Sequence, residues 1–241
     1  MRPVVVAVDG PAGSGKSSVC RAVADRMGLA YLDTGAMYRA MTWAVLESGV
    51  DPEDAAAVAA LAPRVQVVSG TDPTAPGIKV AIADVSGALG KGVDVAEPIR
   101  GERVTSAVSA VSAVPSVREQ LVRMQRERAQ DAVERGQGIV VEGRDITTVV
   151  LRDADVKIFI TADPAVRAQR RARQDEQRGE TDVDVKETQE ALLVRDAKDS
   201  TRAASPLTQA ADALELDTTH LGLEEVIELA CGLVAEAAGR A

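Results

Sequence analysis

Gly10-Pro11-Ala12-Gly13-Ser14-Gly15-Lys16-Ser17 is the stretch that decides how this chain is read. An apolar, β-branched run at residues 4–8 precedes it. That run reads as a strand buried on both faces. Residues 16–27 follow, with Val19, Ala22, Val23 and Met27 recurring on one side of a helix that Gly28 stops. Strand, glycine turn and helix in this order let the backbone curl so that successive N–H groups point inward at phosphate oxygens. The opening helix adds its positive end. The spacing is G-x-x-x-x-G-K-[ST], in which Lys16 reaches the β- and γ-phosphates and the Ser17 hydroxyl can ligate Mg²⁺. A glycine-rich turn carrying an exposed lysine is the alternative, and the flanking strand and helix weigh against it.

Working outward, residues 30–32 form a second short strand. Residues 35–48 read as a helix with Thr34 as its cap, and Asp51-Pro52-Glu53-Asp54 opens another that runs to about residue 62. Residues 65–68 and 78–83 look like strands with no helix between them. Residues 63–95 are therefore expected to be an antiparallel insert in an α/β chain. Helices are expected over 99–113, with a break at Val114-Pro115, and over 116–135. Strands at 139–141, 156–160 and 213–216 alternate with an arginine-dense helix from residue 164, a helix opened by Asp184-Val185-Lys186-Glu187, and a closing helix at 223–238. Five short apolar strands alternating with helices argue for a parallel sheet covered on both faces.

Composition removes several classes of function. A net charge of −9 suits neither a DNA coat nor an anionic lipid surface, and 2% aromatic residues leave no stacking platform for single strands. Two distant cysteines and one histidine, His220, cannot assemble a zinc site. No stretch of about 18 apolar residues exists to span a membrane, and the N-terminal run turns straight into the glycine loop, so a cytoplasmic location is expected. The chain has no Asn, so the N-K-x-D tetrad that reads guanine in GTPases is missing.

Three further motifs narrow the field. Asp33-Thr34-Gly35-Ala36-Met37-Tyr38-Arg39, Glu142-Gly143-Arg144-Asp145-Ile146 and Arg195-Asp196-Ala197-Lys198-Asp199-Ser200-Thr201-Arg202 occur in that order, with Ser205-Pro206-Leu207 trailing. Together they resemble the bacterial cytidylate kinases over nearly the whole chain, and the mid-chain strand excursion resembles the insert of bacterial members. The resemblance implies a P-loop three-layer αβα sandwich with a five-stranded parallel sheet, a small antiparallel sheet in the insert, and a short lid. It implies ATP and Mg²⁺ as cofactors and CMP and dCMP as partners; a monomer is expected because no long heptad or exposed apolar stripe stands out in the sequence.

The resemblance also implies roles. Gly10, Pro11, Ala12, Gly13, Ser14, Gly15, Lys16, Ser17 and Ser18 would hold ATP, with Ser17 on the metal. Lys16, Arg144 and Arg195 would be catalytic. Arg39, Arg144 and Arg195 would meet the CMP phosphate or the group in transfer. Arginine suits this because its planar fork grips phosphate bidentately. Ser109, Arg118, Asp145 and Arg202 would read cytosine, Asp199 would hold a ribose hydroxyl, and Thr34 and Tyr38 would line the monophosphate pocket. Ser106, Ser109 and Ser112 are rival serines on one stretch, and a packed small-residue helix face is the plain alternative. The arginines from Arg167 to Arg178 read as a lid for one or two of them and as a solvated face for the rest.

Thr147 stands where the family usually has Gly. A β-branched residue resists φ > 0, so the turn after Asp145 either keeps ordinary dihedrals or is remodelled. The expected organisation is a core at residues 1–33, 136–163 and 206–241, a monophosphate-binding region at 34–135, and a lid with its flanking helices at 164–205. The expected reaction is transfer of the ATP γ-phosphoryl group to CMP or dCMP. The competing readings are a kinase for UMP, AMP or a sugar acid, and a nucleotide-binding switch without catalysis.

Overall fold

A computed structural model describes residues 2–84, 87–177, 179 and 183–239. Five strands form the central sheet: β1 (Val5–Asp9), β2 (Ala30–Asp33), β6 (Ile139–Glu142), β7 (Val156–Thr161) and β8 (Leu214–Asp217). Their order is β2-β6-β1-β7-β8 and every pairing is parallel. The five-stranded parallel sheet expected from the alternating pattern is the one found.

Alternation along β1 explains the layering. Val6 and Val8 point to one face and Ala7 to the other, and all three are buried. The first face packs on α1 (Lys16–Met27) and α8 (Leu223–Gly239) through Val19, Val23, Val226 and Ile227. The second packs on α2 (Thr34–Glu47) and α5 (Pro115–Glu134) through Met37, Met41, Val117 and Leu121. Each such side chain contributes about 1.5–3 kcal/mol by leaving water.

A second sheet holds β3 (Val65–Ser69), β4 (Ile78–Ile82) and β5 (Val93–Asp94), all antiparallel. Val65, Val67, Ile78 and Val80 turn inward and join the core that includes α2, while Gln66 and Val68 face solvent. The β3–β4 connection folds back onto the main sheet: the Tyr31 N–H donates to the Thr71 carbonyl at 2.9 Å, and Arg21 Nε donates to the Pro73 carbonyl at 3.1 Å. The remaining helices are α3 (Ala55–Leu61), α4 (Glu102–Ala113), α6 (Pro164–Gln177) and α7 (Val185–Thr201).

Four boundaries differ from expectation. Asp33, not Thr34, caps α2, its Oδ1 accepting the Ala36 N–H at 2.9 Å. Asp54, not Asp51, caps α3; Asp51 spends its side chain on the Glu53 N–H in a preceding turn. The expected helix at 99–113 is interrupted at Gly101, leaving a single 3₁₀ turn at Pro98–Arg100 before α4. Pro115 opens α5 rather than only ending α4, because a first-turn proline lacks no hydrogen bond it needs.

Candidate active site

The C-terminal ends of β1, β2 and β6 deliver Asp9, Asp33 and Glu142 to one edge of the sheet, with the glycine turn rising from β1. Ligands in open parallel sheets bind at this edge, where the chain leaves β1 in opposite directions to its neighbours. Gly10, Gly13 and Gly15 all hold positive φ. A side chain at Gly10 would put its Cβ 2.0 Å from the Ile160 carbonyl oxygen. No side chain caps the N-terminus of α1 and no acid lies in its first turn, and the Ser14 hydroxyl is buried with no protein partner. Lys16 is buried with Nζ 3.4 Å from the Pro11 carbonyl oxygen. Burial, with the Arg144 cation nearby, pulls its ammonium down to about 8.

A cleft of about 500 Å³ opens in front of the turn, and Lys16, Arg39, Arg144, Arg171 and Arg195 all line it. Burial and then the Arg195 and Arg171 cations lower Arg39 to about 9; burial and then Arg144 lower Arg195 to about 10. Arg195 Nε is buried with no hydrogen-bond partner. Cations crowded this way repel one another, and an anion between them relieves the repulsion. Arg39 is steadied by the Ile99 carbonyl and the Thr105 hydroxyl. A second cavity of about 410 Å³ lies on the other side of the turn, reaching Gly13, Gly15, Arg173, Leu221 and Val226.

Behind the cleft the remaining candidates form a chain of ion pairs. Arg118 donates to Asp145 Oδ2 at 2.5 Å and to the Ser112 carbonyl, with its guanidinium 5.2 Å above the Tyr38 ring. Arg202 lies 3.8 Å from Asp145 and 3.7 Å from Asp199. Arg144 Nε meets Asp199 Oδ2 at 2.9 Å, and its Nη1 donates to the Gly10 carbonyl at 2.8 Å. Arg118, Asp145 and Asp199 are buried.

Two candidates stand apart. The Thr34 hydroxyl is buried and donates to the Glu142 carbonyl at 2.7 Å, so it braces the start of the 142–145 turn rather than lining the cleft. Ser109 meets the cluster only through backbone: its carbonyl accepts the Ser112 hydroxyl, and the Ser112 carbonyl accepts from Arg118. The α4 face turned inward carries Val104, Ala107, Val108 and Val111, which puts Ser109 on its margin.

The arginines of α6 divide differently from expectation. Arg167 is neither lid nor solvated. It is buried, donates to the Ala12 and Ala162 carbonyls and pairs with Asp196, whose other oxygen accepts the Ala12 N–H at 3.2 Å. Arg170 donates twice to Thr218. Arg171 pairs with Asp175 yet lines the cleft, and Arg173 is exposed. Arg178 lies outside the described residues.

The sequence reading passed over three carboxylates. Glu142 accepts from the Tyr31 hydroxyl and from Ser17 Oγ, the latter at 3.0 Å; burial and the Asp33 carboxylate push it up, against the pull of Lys16. Asp9 holds the turn after Asp145, and Asp196 holds Ala12. The signal for Glu142 was present, since it begins a quoted motif at a strand end.

Residues 6–236 match the model of the family described as cytidylate kinase. The chain is 53% identical to a cytidylate kinase of Streptomyces avermitilis, over 97% of this chain and 93% of that one. It is 49% identical to a cytidylate kinase of Mycobacterium leprae, over 99% of both.

Proposed function

The chain belongs to the cytidylate kinase family, and from that premise we infer how its residues move the ATP γ-phosphoryl group onto CMP or dCMP, giving ADP and CDP or dCDP. The single observation that carries the reading is the cleft in which Lys16, Arg39, Arg144 and Arg195 converge beside the glycine turn.

Two nucleotides pressed end to end repel each other through their phosphates. Catalysis therefore requires positioning and charge neutralisation more than a general base. The backbone of residues 10–18 and Lys16 take the donor phosphates, and the second cavity takes the donor nucleoside. Arg39, Arg144 and Arg195 take the acceptor phosphate and the group in transfer. Arg118, Asp145 and Arg202 present paired donors and acceptors to the cytosine edge, Asp199 meets the ribose, and Tyr38 backs Arg118. Ser109 and Thr34 act through backbone support.

Ser17 Oγ, 3.0 Å from Glu142 and at the rim of the cleft, offers hard oxygen donors of the kind Mg²⁺ prefers. Among the described residues no group of three His, Cys, Asp or Glu could hold a metal alone. An ion here would use Ser17 together with phosphate oxygens. When bound, it neutralises charge on the β- and γ-phosphates.

The 34–135 segment is the proposed acceptor arm and 164–205 the proposed lid. A monomer and a cytosolic location are part of the same reading. No described helix is long and apolar enough to cross a membrane.

Steady-state assays with CMP, dCMP, UMP and AMP test the assignment. CMP and dCMP should give the highest kcat/KM; a higher value for UMP or AMP would replace the acceptor, and ATP binding without turnover would replace the class.

A further inference from the structure

Asp9 closes β1 directly before the glycine turn, and its carboxylate is fully buried with no exposure. Its Oδ1 accepts the Ile146 N–H at 2.8 Å. Its Oδ2 accepts the Thr147 N–H at 2.8 Å and the Thr147 hydroxyl at 2.6 Å. The segment it grips, Ile146–Val150, is a single π-helical turn, closed by the Leu151 N–H on the Ile146 carbonyl at 2.7 Å. The first N–H groups of a helical turn have no partner inside the turn, and in α-helices the side chain of the preceding residue often accepts from them. Here the preceding residue is Asp145, and its side chain caps nothing. It turns instead to Arg118 and Arg202. Asp9 supplies the missing cap from 137 positions away.

Ser205 is the non-glycine residue with positive φ among the described residues, so Thr147 keeps ordinary dihedrals. Its β-branched side chain is buried and its hydroxyl is used. A glycine at this position could not make that third hydrogen bond.

We propose that Asp9 and Thr147 are positioning residues that cap the turn in place of Asp145, so that the Asp145 carboxylate is free to face the acceptor base and set its selectivity. The proposal rests on the acceptor reading given above. Because Asp9 also leads into Gly10, whose carbonyl binds Arg144, the same carboxylate registers the donor turn against the acceptor turn.

The test uses Thr147→Val, which keeps the shape and removes the hydroxyl, and Thr147→Ser, which restores it. KM for CMP and for ATP, the CMP/UMP ratio of kcat/KM and the unfolding midpoint are measured for each. Loss of one hydrogen bond to a buried carboxylate should raise KM for CMP about 5- to 10-fold and lower the CMP/UMP ratio similarly. KM for ATP should stay within about 2-fold, and the serine variant should recover both. If the valine variant packs badly, Thr147→Ala against Thr147→Ser gives the same comparison. A valine variant with normal CMP constants, whatever its midpoint, overturns the proposal alone. So does a parallel rise in both KM values that serine fails to rescue. A wild-type enzyme that does not phosphorylate CMP overturns the acceptor reading and this proposal with it.

Discussion

Arg144 Nη1 donates to the carbonyl oxygen of Gly10 at 2.8 Å, which joins the turn that follows β6 to the first glycine of the phosphate turn. Through Nε the same guanidinium holds Asp199 on α7. Three segments far apart in sequence therefore share one cation at the mouth of the cleft.

Lys16 sits on the glycine turn proposed to take the donor phosphates, and its effect should fall on the transition state. Lys16→Ala is expected to lower kcat roughly 100-fold or more, with KM for CMP changed by less than about 3-fold. Steady-state kinetics at saturating ATP checks this. A near-normal kcat would remove Lys16 from the chemistry.

Protonation of Lys16 should also be linked to nucleotide binding. Its folded value is lowered from 10.5 to about 8, so the fold penalises the charged form. The penalty is present in full below about pH 8 and fades as pH rises from there towards 10.5, since the unfolded lysine then still holds its proton. Bound phosphate favours the ammonium and reverses the shift. ATP binding at about pH 8.5 should therefore take up protons, and uptake should vanish below about pH 6.5. Calorimetry in buffers of different ionisation enthalpy reads this directly, and proton release would contradict it.

The buried Arg118–Asp145 pair should dominate local stability. Removing one partner strands the other charge, at a cost of about 3–5 kcal/mol. Arg202, 3.8 Å from Asp145, offsets part of that loss. Arg118→Met is expected to destabilise the fold by about 3 kcal/mol in urea titration. A loss below about 1 kcal/mol would mean that Arg202 alone satisfies the carboxylate.

Two glycines with positive φ should behave differently. At Gly28 nothing lies within 4 Å of an added Cβ, so Gly28→Ala should cost only about 1 kcal/mol. At Gly10 the Cβ meets the Ile160 carbonyl at 2.0 Å, so the turn must shift. Gly10→Ala should abolish measurable ATP binding or folding, and thermal melts with and without ATP distinguish the two.

Much of this was legible because local patterns sufficed. The β1–turn–α1 unit carries its own periodicity, glycines and spacing, and four of the five strands are short apolar runs between stop signals, β8 being the mostly exposed Leu214-Glu215-Leu216-Asp217. The converging arginines were findable because their motifs sit at strand ends or on one helix. What escaped depended on neighbours distant in sequence. Either Asp33 or Thr34 could cap α2, and the choice falls to Asp33 because β2 keeps pairing through Asp33 with Glu142. β5 is two exposed residues with no pattern to read. The helix phase of Arg167 could not show that Ala12 and Asp196 wait on its inner side. The partnership of Asp9 with Thr147 spans 138 positions and has no local signature.

With this geometry the glycine turn and the converging cations would hold two nucleotides end to end in one cleft. Adenosine and cytidine joined through five phosphates test it most directly, with affinity measured by calorimetry. Binding should be at least about 100-fold tighter than for ATP or CMP alone and competitive against both, because the second half binds intramolecularly. Binding no tighter than ATP, or competitive with only one of the two nucleotides, would contradict it.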